Sequence, residues 1–126
     1  FFDPGDERIP MQSMLEALRN LPGAVFADLL ESPEAYLLVL DLPGVTRDDV
    51  EIEAHRHRLD IEACRQKIVP DGFEYRSEDR SIFLDAMIPV PMDADPSSAS
   101  ASMENGVLEI RVPKDTSPVR TVPIEE

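Results

Sequence analysis

The 126 residues contain one cysteine, Cys64, too few for an internal disulfide framework and suited to a reducing compartment. Five dispersed glycines build no phosphate-cradling loop, so use of ATP is not expected. No apolar run approaches the roughly 18–20 residues needed to span a bilayer. No charged-then-apolar leader opens the chain, although a cleaved one would leave no trace. Phe1 stands where an initiating Met would, as in a fragment or a processed form. Basic residues are scarce, 12 Lys and Arg against 26 Asp and Glu, for a formal net charge of −14. Scattered singly, they form no patch able to pair with phosphates, which argues against a nucleic-acid or acidic-membrane partner. Cytoplasmic location is the default expectation, and the length fits one domain with a single core.

What is present is patterned. Residues 1–10 carry two prolines and a glycine and read as irregular. Met11, Met14, Leu15, Leu18 and Leu21 follow the i, i+3, i+4, i+7 spacing of a one-faced helix, ended by Pro22-Gly23. Beyond Gly23 the period becomes two. Residues 25–31 read as a strand, and Tyr36 to Leu40 as a strand buried on both faces. Val50, Ile52 and Ala54 alternate with Glu51 and Glu53. After the turn at residues 55–57, Leu59, Ile61 and Ala63 alternate with Asp60 and Glu62, giving a hairpin with one dry and one wet face. Residues 81–91 form an apolar strand whose Pro89 and Pro91 place its end at an edge or in a loop. Two last strands flank Asn105-Gly106, a strong short hairpin signal. About seven or eight short strands with no interior helical pattern predict an all-β, antiparallel immunoglobulin-like sandwich. The predicted divisions are an arm with a short amphipathic helix (1–23), the sandwich (24–114) and an extended tail (115–126).

Several segments occur in one order: Leu42-Pro43-Gly44-Val45 before Asp48-Asp49-Val50-Glu51-Ile52, then Ala101 to Leu108 with its Asn-Gly-Val-Leu core, then Pro113-Lys114, then Val122-Pro123-Ile124. This ordered set resembles the small heat-shock protein (alpha-crystallin domain) family, bacterial type, over roughly residues 26–124. The resemblance implies an ATP-independent chaperone that binds partly unfolded proteins and catalyses nothing. It implies a tail anchor, Val122 and Ile124, received in a groove between Val50, Ile52 and Ala54 on one strand and Ala101 and Met103 on another. It also implies a loop strand around Phe73 and Tyr75 that crosses to a partner's first strand, near Phe26 and Leu29, giving a homodimer able to build higher oligomers. Where the family has an Arg before its closing Leu-Pro, this chain has Leu84.

The residues have plainer readings beside these. The stripe at Met11, Met14, Leu15, Leu18 and Leu21 either docks on its own sandwich or offers a pliable surface to unfolded clients, a use that favours methionine. Proline between Val122 and Ile124 presets an extended backbone that projects both side chains to one side. The alternative is a tail whose apolar residues are incidental. His55 and His57 could ligate a metal, but on a hairpin turn with no third ligand nearby they read as solvent-facing, and no metal or other cofactor is expected. Cys64 reads as buried and inert. No nucleophile elbow or carboxylate pair suggests catalysis. The rival reading is a co-chaperone adaptor with a CS-type sandwich that recognises one folded partner, which would need no aliphatic tail anchor.

Overall fold

Alternation with a period of two governs the chain from Ala27 to Pro113 in the computed structural model, which describes residues 9–21 (9 and 10 as backbone only), 25–115 and 124. Among the described residues seven strands form two antiparallel sheets. One holds β1 (Ala27–Glu31), β2 (Ala35–Asp41), β6 (Ser100–Glu104) and β7 (Val107–Pro113) in the order β1-β2-β7-β6. The other holds β3 (Val50–His55), β4 (Arg58–Cys64) and β5 (Phe83–Pro89) in that order. Successive side chains of a strand point to opposite faces. One set therefore fills the space between the sheets: Leu38, Leu40, Ile110 and Val112 from the first, Leu59, Ile61, Leu84 and Ile88 from the second, all buried. The two sheets together make the predicted sandwich.

The other set faces outward. Glu51 stands opposite Glu62, which stands opposite Asp85, and Glu53 stands opposite Asp60. Strand β2 departs from its predicted burial on both faces. Tyr36, Leu38 and Leu40 are buried, but Leu37 and Val39 are only half-buried, because no further layer among the described residues covers that side of the sheet.

Helix α1 (Ile9–Arg19) starts two residues earlier than the apolar spacing predicts. Pro10 is tolerated there because its missing N–H belongs to the first turn, where no intrahelical acceptor exists. The helix packs on β5 and on β1. Between β4 and β5, residues 65–82 form no strand.

Two of the sequence motifs meet at one point. Asn105 and Gly106 both adopt left-handed backbone (φ 52° and 76°), the geometry a two-residue hairpin turn requires. Leu42 N–H donates to the Gly106 carbonyl at 2.6 Å, so this turn rests on the Leu42-Pro43-Gly44 turn. A Cβ on Gly106 would lie 3.0 Å from Pro43 Cα, against backbone that cannot easily yield. Gly106→Ala is expected to destabilise the domain by about 1–3 kcal/mol, from positive-φ strain plus this contact. Gly72→Ala should cost less, since Gly72 also has positive φ (85°) but nothing lies within 4 Å. Equal shifts in urea midpoint for the two variants would contradict this account.

Candidate binding groove and apolar surfaces

The two sheets of the sandwich leave two flanks. Along the first, β3 and β6 face each other across a groove of about 420 Å³ lined by Val50, Ile52, Ala101, Met103 and Leu108, with Arg47 and Glu104 among its polar residues. Four of the five predicted groove residues line it. Ala54 does not: it is exposed further along the same flank, in a separate hollow with His55, Met92 and Pro96. Arg47, Ser102, Glu104 and Leu108 line the groove without having been read from the sequence. The Asn105-Gly106 hairpin could have brought Leu108 in, since it sets Leu108 opposite Met103.

The segment leading into β6 is pinned by a buried phenol. Tyr36 Oη donates to Asp93 Oδ1 at 2.8 Å, Lys114 Nζ lies 4.9 Å above the Tyr36 ring, and the same Nζ pairs with Glu31 at 2.5 Å. Ala94 then bridges to Lys114, and a short 3-10 helix, Pro96–Ser98, delivers the chain to Ser100. Burial, then the bond to the Asp93 carboxylate, and then the negative charges of Asp93 and Glu31 push the Tyr36 hydroxyl well above the usual tyrosine range. Asp95, accepting from the Ser97 and Ser98 hydroxyls at 2.5 and 2.8 Å, is held below the usual carboxylate range by those bonds.

The second flank, between β1 and β5, is occupied by α1. Met14, Leu18 and Leu21 are buried in the common core, and Met11 and Leu15 are half-buried. The stripe is thus docked on its own sandwich, with Met14, Leu18 and Leu21 covered. Burying three such side chains stabilises the docked helix by roughly 5–9 kcal/mol gross, before the cost of ordering a three-turn helix that is marginal by itself.

The residues expected at a dimer interface lie on the outside, with one exception. Phe26 and Phe73 are each 72% exposed and Tyr75 is 45% exposed. Leu29 instead turns inward and packs against the core, because strand alternation leaves its neighbour Leu30 as the exposed residue. Strand β1 pairs only with β2, so among the described residues its other edge is bare. The 65–82 loop is tied locally: Lys67 Nζ donates to Glu78 (2.7 Å) and Ser81 (3.1 Å) and sits 4.9 Å over the Tyr75 ring. The bonds from Lys67 and then Ser81 hold the Glu78 carboxyl below its usual range. Arg65 donates to the Pro43 carbonyl at 2.7 Å and also to the Arg80 carbonyl.

The polar candidates separate. His55 Nε2 lies 3.1 Å from Asp60 and 3.4 Å from Glu53, on the outer face, where Arg58 already holds both Asp60 oxygens at 2.8 and 3.1 Å. His57 does not join them; its Nδ1 is buried without a hydrogen-bond partner. Cys64, read as buried, is half-buried, because it occupies an outward position of β4 opposite Phe83 and lines a surface hollow with it. Ile124 is 91% exposed, and Val122 lies outside the described residues. No helix among the described residues is long and apolar enough to cross a membrane.

Comparison with known proteins gives one answer. The Hsp20/alpha crystallin family matches residues 28–125. The 17.6 kDa class I heat shock protein of Helianthus annuus is 34% identical over 123 residues, covering 90% of this chain and 80% of that one. The 16.9 kDa class I heat shock protein 3 of rice is also 34% identical, over 121 residues, with the same coverage of each chain. Among solved structures, a small heat-shock protein from Xylella fastidiosa, described as having a distinct high order structure, superposes with a TM-score of 0.65 at 25% identity. It covers 82% of this chain and 97% of that one. The hspA of Xanthomonas axonopodis follows with a TM-score of 0.60 at 29% identity, covering 71% and 92%. The rat alpha crystallin domain, at 14% identity, shares the fold.

The Tyr36 clamp has an alkaline signature. A folded-state pKa above the unfolded value of about 10 contributes stability that is present below pH 10 and lost as pH rises past it. Tyr36→Phe should cost about 1 kcal/mol at neutral pH through the lost hydrogen bond. It should also flatten the fall of melting temperature above pH 10. Parallel melting curves for the two proteins across that range would show that Tyr36 is not the group responsible.

Proposed function

The chain belongs to the Hsp20/alpha-crystallin family, and on that premise we propose that it is an ATP-independent holdase that binds partly unfolded proteins and keeps them from aggregating. The observation that carries this reading is the groove between β3 and β6, which none of the described residues fills, in a chain whose tail bears an aliphatic residue on each side of a proline. Val122 and Ile124 entering such a groove are worth roughly 3–6 kcal/mol before ordering costs. One anchor therefore binds weakly and reversibly, while several in one assembly hold by avidity. The bare edge of β1 and the exposed Phe73 and Tyr75 support self-association into a dimer. Capture of the unfolded form lowers its free concentration without an energy source, and a charge of −14 on each chain keeps loaded complexes apart. With α1 docked, Met14 and Leu18 are covered and offer a client nothing.

Two measurements test this. At equimolar chain, light scattering from a heat-labile enzyme should be suppressed without nucleotide; unchanged scattering removes the holdase reading. Val122→Gly/Ile124→Gly should shift the native particle to a smaller mass in size-exclusion with light scattering. An adaptor that recognises one folded partner would keep its size.

A further inference from the structure

The helix α1 sits on the β1/β5 flank as a ligand sits in a site. Met14 and Leu18, at i and i+4, are the side chains it buries most deeply, with Leu21 buried just past its end, and β5, on which it packs, contributes the inward-facing Leu84 and Ile88, both fully buried. The fit is incomplete. Between the helix and the start of β1 there remains a hollow of about 450 Å³, lined among others by Leu15, Leu18, Val25, Phe26 and Leu29. Phe26 stands 72% exposed at its rim. The flank therefore has room for side chains larger than those α1 supplies. The helix itself is three turns long, too short to hold its shape without the surface beneath it.

We infer that the β1/β5 flank is a second protein-binding site, distinct from the β3/β6 groove, and that α1 is its resident occupant. The partner it takes is an amphipathic helix of a partly unfolded chain, carrying aliphatic or aromatic residues at i and i+4. Such segments belong to the partly structured species that aggregate, and a groove shaped by one amphipathic helix accepts another on the same anchor spacing. Client binding then competes with α1, and its apparent affinity is lowered by the fraction of molecules in which α1 is docked. The flank, rather than the stripe of α1, is the receptor. This rests on the holdase reading and specifies where the client goes.

Met14→Asp/Leu18→Asp in the full chain tests it, because carboxylates cannot occupy those buried positions and α1 must leave. The sandwich should keep its far-ultraviolet β signal and a cooperative melt, dye binding to apolar surface should rise, and half-suppression of client aggregation should need severalfold less protein than wild type. Suppression that is lost or unchanged in a folded variant overturns the inference, loss pointing to the stripe as the binding element while leaving the holdase function standing. Failure of wild type and variant alike removes the holdase function itself, and this proposal with it. Should the variant not fold, a synthetic peptide of residues 9–21 added to wild type should inhibit client capture without suppressing aggregation alone. No inhibition, or suppression by the peptide itself, equally overturns the proposal.

Discussion

Four strands facing three leave the sandwich open along both sides, because a sheet buries only what lies between the layers and an edge has no neighbour to cover it. The inward-facing aliphatic residues near each edge remain partly uncovered unless something is laid against them. On one side that something is α1, which completes the core with Met14, Leu18 and Leu21. On the other nothing among the described residues closes the gap, and Val50, Ile52 and Met103 stay half-buried around a groove. Chaperone chemistry needs no catalytic group on such a frame. It needs aliphatic surface that the fold does not consume, held on rigid strands so that it does not collapse when empty.

The outer face of the smaller sheet works in the opposite sense. Glu51, Glu62 and Asp85 stand in one cross-strand row, and Glu53 faces Asp60 in the next. Like charges directly opposite cost stability, and Arg58, and His55 when protonated, soften the repulsion at Asp60. The compensation is that the face can neither stack on a copy of itself nor present an apolar plane, although Phe83 and Met87 protrude from its last strand. An apolar flank beside an acidic face confines sticky contacts to the sides of the sandwich. Two copies approaching on this side then meet charge first.

Much of this was legible in the residues, and the failures have common causes. The hairpin at Val50–Ala63, the Asn105-Gly106 turn and the inward set of each strand follow from alternation and turn chemistry, which are local. The groove followed from family resemblance, and Ala54 fell outside it because the facing wall ends before that residue's level, where Pro96 and Met92 begin a different hollow. Leu29 faces the core while its neighbour Leu30 stands exposed, the one-step distinction by which a period of two separates inside from outside. Strand β2 was read as doubly buried because an unbroken aliphatic run does not say how many layers cover it. The fate of α1 could not be read at all: the same stripe serves to dock on its own domain or to meet another, and only the bare β5 flank decides between them.

That ambiguity is a physical property of the segment rather than a defect of reading. A three-turn helix gains too little from its own hydrogen bonds to persist alone, so its stability is borrowed from whatever apolar surface it touches. A core strand such as β2 is held by a ladder on each side and by side chains buried between sheets. Elements with few backbone ties to the rest open at much lower free energy than such strands. Among the described residues α1 has no ladder to the sandwich and is held by packing, chiefly on β5 and then on β1. Heat that leaves the two sheets intact will therefore free α1 first, and the surface it uncovers belongs to the part of the molecule that remains folded. On the proposed reading, this difference in how the pieces are held makes a client site that opens before its own scaffold melts, at temperatures where other proteins begin to expose helices of their own.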